Sequence, residues 1–245
     1  MFGKLLNGLC DLVYPRNCLV CKKYITSDKK GQALCASCLG LIEPNHPPFC
    51  LKCSRHLASD LGQSYCQECR HDKHHFDSAW AAVIYNDAMK KLLHLFKYGD
   101  RTALADTFAE LTFSFVENYH IDICRFDLVI PIPLHPTRLR ERGYNQSQLL
   151  SQRLSGKFNL QQNEKILKRI VHTKNQALLG KKERWTNIHG AFRINDQFPV
   201  FKKSVLVVDD LLTTGATISE VAKVLKEAGA KEVCGLTLAV ALQDG

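Results

Sequence analysis

Apolar positions fall into two regimes along this chain. Before His75 they are scattered between cysteines; from Phe76 onward they form periodic runs. Phe76–Tyr85 reads as a strand through Ala81, Ala82, Val83 and Ile84. Ala88–Tyr98 has helical spacing, with Met89, Leu92, Leu93, Leu95 and Phe96 inward, Lys90, Lys91 and Lys97 outward, and Gly99 as its stop. Ala103–Tyr119 predicts a second helix, Phe126–Ile132 a buried strand and Ser147–Phe158 a third helix. Ser204–Val208 predicts a continuous apolar strand, Thr217–Ala228 a helix halted by Gly229, and Val233–Ala241 a last strand. Strands alternating with helices imply an α/β fold, a mostly parallel sheet with helices on both faces.

The first 75 residues are organised differently. Met1–Tyr14 spaces Leu5, Leu6, Leu9, Leu12 and Val13 as a short amphipathic helix. Asn7, Gly8 and Asp11 interrupt it, so it lacks the apolar core of a secretion signal. No apolar run nears the roughly 18 residues of a membrane span, and the expectation is a cytoplasmic protein without a transmembrane segment. The chain divides into a helix at 1–14, a cysteine-rich region at 15–75 and an α/β domain at 76–245. A hydrophobic content of 45% with 23% charged residues excludes a disordered or fibrous chain.

Eleven cysteines in such a chain point to metal rather than disulfides. Eight form C-x-x-C pairs: Cys18/Cys21, Cys35/Cys38, Cys50/Cys53 and Cys66/Cys69. Each pair makes a knuckle able to place two thiolates about 2.3 Å from zinc, and two knuckles complete a tetrahedron. Sequential pairing gives two structural zinc sites; interleaved pairing remains open on spacing alone. Iron–sulfur ligation would use the same thiolates, but short polar hairpins between evenly spaced knuckles favour zinc. With four thiolates per metal, no position is left for substrate. His71, His74 and His75 read as a polar linker after the last knuckle, and Cys10, Cys124 and Cys234 as buried small residues.

Net charge is +9, and the excess is concentrated between Arg138 and Arg193, where a basic block favours polyanions. One segment gives that charge a purpose. Val205–Thr217 reads V-L-V-V-D-D-L-L-T-T-G-A-T. A buried strand delivers two carboxylates to its C-terminal end, where open α/β sheets place their ligands. A small-residue turn then enters a helix. Its amides and hydroxyls, at Thr213, Thr214, Gly215, Ala216 and Thr217, form a cradle for a phosphate dianion. Asp209 and Asp210 can accept hydrogen bonds from two adjacent ribose hydroxyls.

This segment is similar to the signature of type I phosphoribosyltransferases, which bind phosphoribosyl pyrophosphate (PRPP). The resemblance implies that Asp209 and Asp210 are the catalytic pair on the ribose hydroxyls, that Thr213–Thr217 hold the 5′-phosphate, and that Mg²⁺ accompanies PRPP or a related phosphorylated ribose. It also implies a pyrophosphate side near P-I-P-L-H (Pro131–His135), with His135, Arg138, Arg140 and Arg142 as candidates. Arg169–Phe192, basic and poorly periodic, resembles a mobile loop that closes over the donor. The acceptor's usual hood is not evident, and the zinc ribbons are candidates for its place.

Cysteine ribbons, F-K-Y-G-D (Phe96–Asp100), P-I-P-L-H, R-E-R-G-Y-N-Q (Arg140–Gln146) and the double-aspartate segment together resemble the ComF family, with ComFC and GntX as its type. That resemblance implies a role in competence, DNA uptake or DNA utilisation, with single-stranded DNA and DNA-uptake machinery proteins as partners. Three readings stay open: a PRPP-site protein that binds DNA, a transferase acting on a nitrogen nucleophile, and a structural zinc adaptor.

Overall fold

The computed structural model describes residues 17–25, 32–57, 64–71, 74–173 and 180–242. The expected helix at Met1–Tyr14 lies outside them, as does Cys10. The described elements are α1 (Ala36–Leu39), α2 (Gln67–His71), β1 (Ser78–Ile84), α3 (Asp87–Tyr98), α4 (Leu104–Asn118), β2 (Leu128–Pro131), α5 (Pro136–Arg142), α6 (Gln146–Phe158), β3 (Leu167–Arg169), α7 (Lys181–Ile188), β4 (Phe192–Ile194), β5 (Ser204–Leu212), α8 (Ala216–Glu227) and β6 (Glu232–Val240). Four strands form one parallel sheet in the order β1-β6-β5-β2. No described helix is long and apolar enough to cross a membrane.

Alternation along β5 sorts the core into two faces. Leu206 and Val208 pack with Leu92, Leu93 and Phe96 of α3, Phe108 of α4 and Leu150 and Leu154 of α6. Val205 and Val207 pack with Ile218, Val221 and Leu225 of α8 and Phe192 of β4. The ribbons are divided between the same two faces. Cys18, Ile25, Leu34 and Ile42 of the first join the α3/α4 core. Cys50, Cys53, Leu57 and Cys66 of the second join the α8 core. The connector between ribbons covers the free edge of β1: Asn45 N–H donates to Ala82 O at 2.9 Å, and Ile84 N–H to Glu43 O at 2.8 Å. An edge that would otherwise invite foreign strands is thus occupied.

Three expectations need correction. The strand expected at Ser204–Val208 runs on to Leu212, because β6 pairs with it as far as Leu212↔Val240. The region expected as a poorly periodic mobile loop, Arg169–Phe192, holds regular elements among its described residues. Its ends pair as the antiparallel ribbon β3–β4, and it contains α7, where Gly180 N–H donates to Glu183 Oε2 at 2.9 Å. Cys124, expected to be buried, is exposed, whereas Cys234 is buried.

Candidate phosphate-binding site and metal centres

The cysteines pair sequentially. The thiol sulfurs of Cys18, Cys21, Cys35 and Cys38 lie within 4.8 Å of one another, and so do those of Cys50, Cys53, Cys66 and Cys69. A tetrahedral zinc site with 2.3 Å bonds sets its sulfurs about 3.8 Å apart. Cys21 and Cys35 are 3.6 Å apart, as are Cys53 and Cys66. The donor set therefore fits zinc, and interleaved pairing is excluded. Two four-cysteine sites are present, suited to structural zinc. They differ in cover: Cys21 of the first is exposed, whereas Cys50, Cys53 and Cys66 of the second are buried.

The phosphate loop follows β5 directly. Gly215 has φ +79, a left-handed conformation that glycine adopts without steric cost, and it caps the N-terminus of α8. Thr214, Gly215 and Ala216 are buried, and Thr213 and Thr217 half-buried. The Thr214 hydroxyl accepts from Ala216 N–H at 3.4 Å. A twelve-residue helix begins here, so its amide dipoles converge on the loop.

Asp209 and Asp210 sit in the C-terminal half of β5, followed by Leu211 and Leu212 of the same strand, and are held from α6 and α3. Ser147 O–H donates to Asp209 Oδ1 at 2.9 Å, and so does the Asp210 N–H. Gln146 Nε2 donates to Asp210 Oδ2 at 3.4 Å, and Lys97 Nζ lies 2.8 Å from the same oxygen. Burial and the neighbouring Asp210 charge push the Asp209 carboxyl up to about 6. Burial works against the Lys97 ammonium, but Asp210 more than offsets it and keeps its pKa above the ordinary lysine value.

Residues of two family-like motifs to which the sequence assigned no role acquire one here. In F-K-Y-G-D, Lys97 neutralises Asp210. In R-E-R-G-Y-N-Q, Tyr144 O–H donates to Phe96 O, and Asn145 Nδ2 to Ile132 O at 3.0 Å. Gln146 and the following Ser147 then reach the two aspartates. Outward spacing on a helix gave Lys97 no role; its partner is far away in sequence and adjacent only in the fold.

The pyrophosphate-side candidates lie on or before a short helix rather than a bare turn. His135 caps α5, its Nδ1 accepting from Thr137 N–H at 3.3 Å, and its ring stacks on His172 at 4.9 Å. Partial burial, with His172, Arg169 and Arg140 nearby, lowers its pKa. Arg138 lies 3.9 Å from Glu141, Arg140 donates to the Thr137 hydroxyl at 3.5 Å, and Arg142 rests 5.0 Å over the Tyr98 ring. The structure does not gather all four at one point. Arg142 opposes, without overcoming, the pull of Asp210 that raises the Lys97 pKa; burial lowers that of Arg169, with Asp209 opposing and Arg138 adding to the shift. Arg169, read from sequence only as the start of a loop, donates to the Thr173 hydroxyl, lies 5.5 Å over the Phe192 ring and feels the Asp209 charge.

The second ribbon touches the phosphate loop from outside. Arg55, 5% exposed, pairs with Glu68 and donates to Thr213 O. His74, read as part of a polar linker, is buried and stacks between Phe76 at 4.7 Å and Trp185 at 5.5 Å. A Cβ on Gly215 would meet its Cε1 at 3.1 Å. His75 N–H donates to the Ser219 hydroxyl at 3.0 Å.

Comparison with known proteins agrees with this anatomy. Residues 9–70 match the double zinc ribbon domain model, and residues 158–243 the phosphoribosyl transferase domain model. Competence protein F of Haemophilus influenzae is 30% identical over 223 residues, covering 88% of this chain and 93% of that protein. Competence protein ComFC of Streptococcus pneumoniae is 30% identical over 82% of this chain and 84% of its own length. DNA utilization protein YhgH of Escherichia coli is 28% identical over 82% of this chain and 93% of its own length. Among solved structures, the glutamine PRPP amidotransferase of B. subtilis aligns at 16% identity and TM-score 0.40, over 59% of this chain and 30% of that one.

Proposed function

Because the chain belongs to the ComF family, a double zinc ribbon followed by a phosphoribosyltransferase domain, we propose that it binds PRPP through Val205–Thr217 and acts in competence or DNA utilisation, handling single-stranded DNA. One observation carries the reading of the site. Two carboxylates in the C-terminal half of β5 stand two residues before a largely buried small-residue loop that opens a helix with a left-handed glycine. Hydroxyl acceptors beside an amide cradle suit a phosphorylated sugar.

Thr213–Thr217 would hold the 5′-phosphate, and Asp209 and Asp210 the ribose hydroxyls in place of the Ser147 and Gln146 donors. Lys97, Arg138, Arg142 and Arg169 would balance the pyrophosphate charge. Among the described residues, clusters suited to a metal are the two cysteine sets. Mg²⁺, if it accompanies the pyrophosphate, would supply charge neutralisation there, with Asp209 and Asp210 as the carboxylates nearest the site. The basic block and the exposed Tyr98 under Arg142 offer charge and a stacking face to a single strand.

A second reading, transfer of phosphoribosyl from PRPP to a nitrogen nucleophile, is favoured by Asp209. A carboxyl titrating near 6 suits proton transfer at neutral pH. Titration calorimetry with Mg–PRPP, with and without single-stranded DNA, tests both ligands and their coupling. Asp209→Ala with Asp210→Ala should abolish PRPP binding. Steeply salt-dependent DNA binding supports the first reading. Pyrophosphate release with an added acceptor supports the second. Binding of neither ligand leaves a structural zinc protein.

A further inference from the structure

The second ribbon grips the phosphate loop at one peptide plane. Arg55 follows the knuckle Cys50–Cys53, and Glu68 lies between Cys66 and Cys69 of the other knuckle. One guanidinium nitrogen of Arg55 pairs with Glu68, and the other donates to Thr213 O. The two knuckles that would share a metal thus also share a guanidinium, and its second terminal nitrogen is given to the loop. The contact joins residues 158 apart in sequence.

Its consequence follows from peptide geometry. The cis bond among the described residues is Pro47–Pro48, so the Thr213–Thr214 peptide is trans. In a planar trans peptide the C=O and the following N–H point in opposite directions. With Thr213 O aimed at Arg55, the Thr214 N–H is aimed away from the ribbon, toward the inner side of the turn. A flip of that plane would present a carbonyl oxygen to the ligand instead of a donor. From the outer side, His74 and Phe76 leave no room for the loop to retreat, since even a Cβ at Gly215 would lie 3.1 Å from His74 and 3.4 Å from Phe76. Arg is suited to this bridge: its rigid fork serves two acceptors at once, which a lysine ammonium does less well.

We infer that Arg55, oriented by Glu68, is a positioning residue of the phosphate site, locking the Thr213–Thr214 peptide so that the Thr214 amide faces the sugar phosphate. This rests on the PRPP reading above. It makes the second ribbon an integral part of the site rather than an appended module, and it ties the loop's donor geometry to the intact ribbon.

The test uses the zinc-loaded full-length chain. Arg55→Met alone would strand a buried Glu68 carboxylate, so the informative variant is R55M/E68Q, which removes both charges together. Three quantities are read: zinc content, hydrogen exchange of the 211–219 segment without ligand, and Mg–PRPP affinity by calorimetry. The expected result is two zinc ions retained, amide exchange in the segment at least tenfold faster, and Mg–PRPP affinity reduced about ten- to a hundredfold, the scale of a charge-assisted hydrogen bond. R55K, with Glu68 intact, should recover part of both losses, which a purely architectural role would not produce. Unchanged exchange in R55M/E68Q overturns the lock, and so does faster exchange with undiminished PRPP affinity. If the wild-type chain binds no PRPP, the functional reading fails by itself, while the exchange measurement still decides the lock.

Discussion

Lys97→Met removes the cation from a buried pair and leaves the anion behind. Lys97 Nζ and Asp210 Oδ2 are 2.8 Å apart, with side chains 24% and 7% exposed. At an effective dielectric of about 20 the Coulomb attraction is roughly 6 kcal/mol. Desolvation of both groups returns most of it, so the pair's net worth is small. Breaking the pair is another matter, because an uncompensated buried charge usually costs about 3–5 kcal/mol. Partial access of water to this pair reduces the figure to about 2–3 kcal/mol, or roughly 5–10 °C in Tm for a chain of this size. The two single variants should differ. Asp210 cannot reach solvent when Lys97 is lost, whereas the lysine stem can carry its ammonium outward when Asp210 is lost. Asp210→Asn should therefore cost less than Lys97→Met, and K97M/D210N should recover most of the K97M loss. Thermal and urea denaturation of the four proteins at constant zinc content would measure this cycle. A K97M cost below about 0.5 kcal/mol, or strict additivity in the double variant, would refute the argument that Lys97 serves to neutralise Asp210.

Asp209 is an acid whose folded pKa, about 6, lies above the ordinary 3.8. The folded state therefore holds its proton more tightly, and stability falls as pH rises between about 4 and 6. The loss should be about 1–2 kcal/mol after allowance for its half-buried position, and Asp209→Asn should flatten that limb of a pH–stability curve. Gly215→Ala places a Cβ at φ +79 and 3.1 Å from His74 Cε1. A cost of about 1–2 kcal/mol in denaturation and loss of Mg–PRPP binding are expected, and wild-type values for both would count against the loop geometry. A chromophoric chelator should release two zinc ions in two phases, the first from the ribbon with the exposed Cys21. Cys21→Ser should abolish the fast phase alone; a single phase for the wild type would contradict the difference in cover between the ribbons.

The main sheet was legible because its signals are local. A continuous apolar run such as Val205–Val208 has few alternatives to a buried strand, and Gly215 within T-T-G-A-T announces its own turn. The ribbons were legible because cysteine spacing is chemistry, although the choice between sequential and interleaved pairing needed coordinates. What escaped was short or distant. The strands β3 and β4 have three residues each, too few to show a period of two. The helix α7, KKERWTNI, is dominated by charge and amide groups and offers no apolar stripe. Lys97, Ser147 and Arg55 look like ordinary surface positions in sequence. They join the site through partners in other elements, and no window of local pattern contains both halves of such a pair.

The arrangement of charge around the aspartates bears on the ligand. Near them stand Lys97, which Asp210 holds above the ordinary lysine value against the opposing Arg142, and Arg169, which burial lowers with Arg138 adding to it. Such a group of cations draws a polyanion toward it. At the strand end the sign reverses: Asp209 and Asp210 repel each other enough to help raise the Asp209 pKa. Hydroxyl donors would relieve that repulsion, and a second phosphate would worsen it. A ligand matching both fields therefore carries phosphate toward the cations and neutral hydroxyls at the aspartates. A plain oligophosphate fails at the aspartates, and an unphosphorylated sugar leaves the cations uncompensated. Under the proposed function, a ribose bearing phosphate groups on opposite sides of its ring would meet both demands, with the loop taking the phosphate that the cations do not.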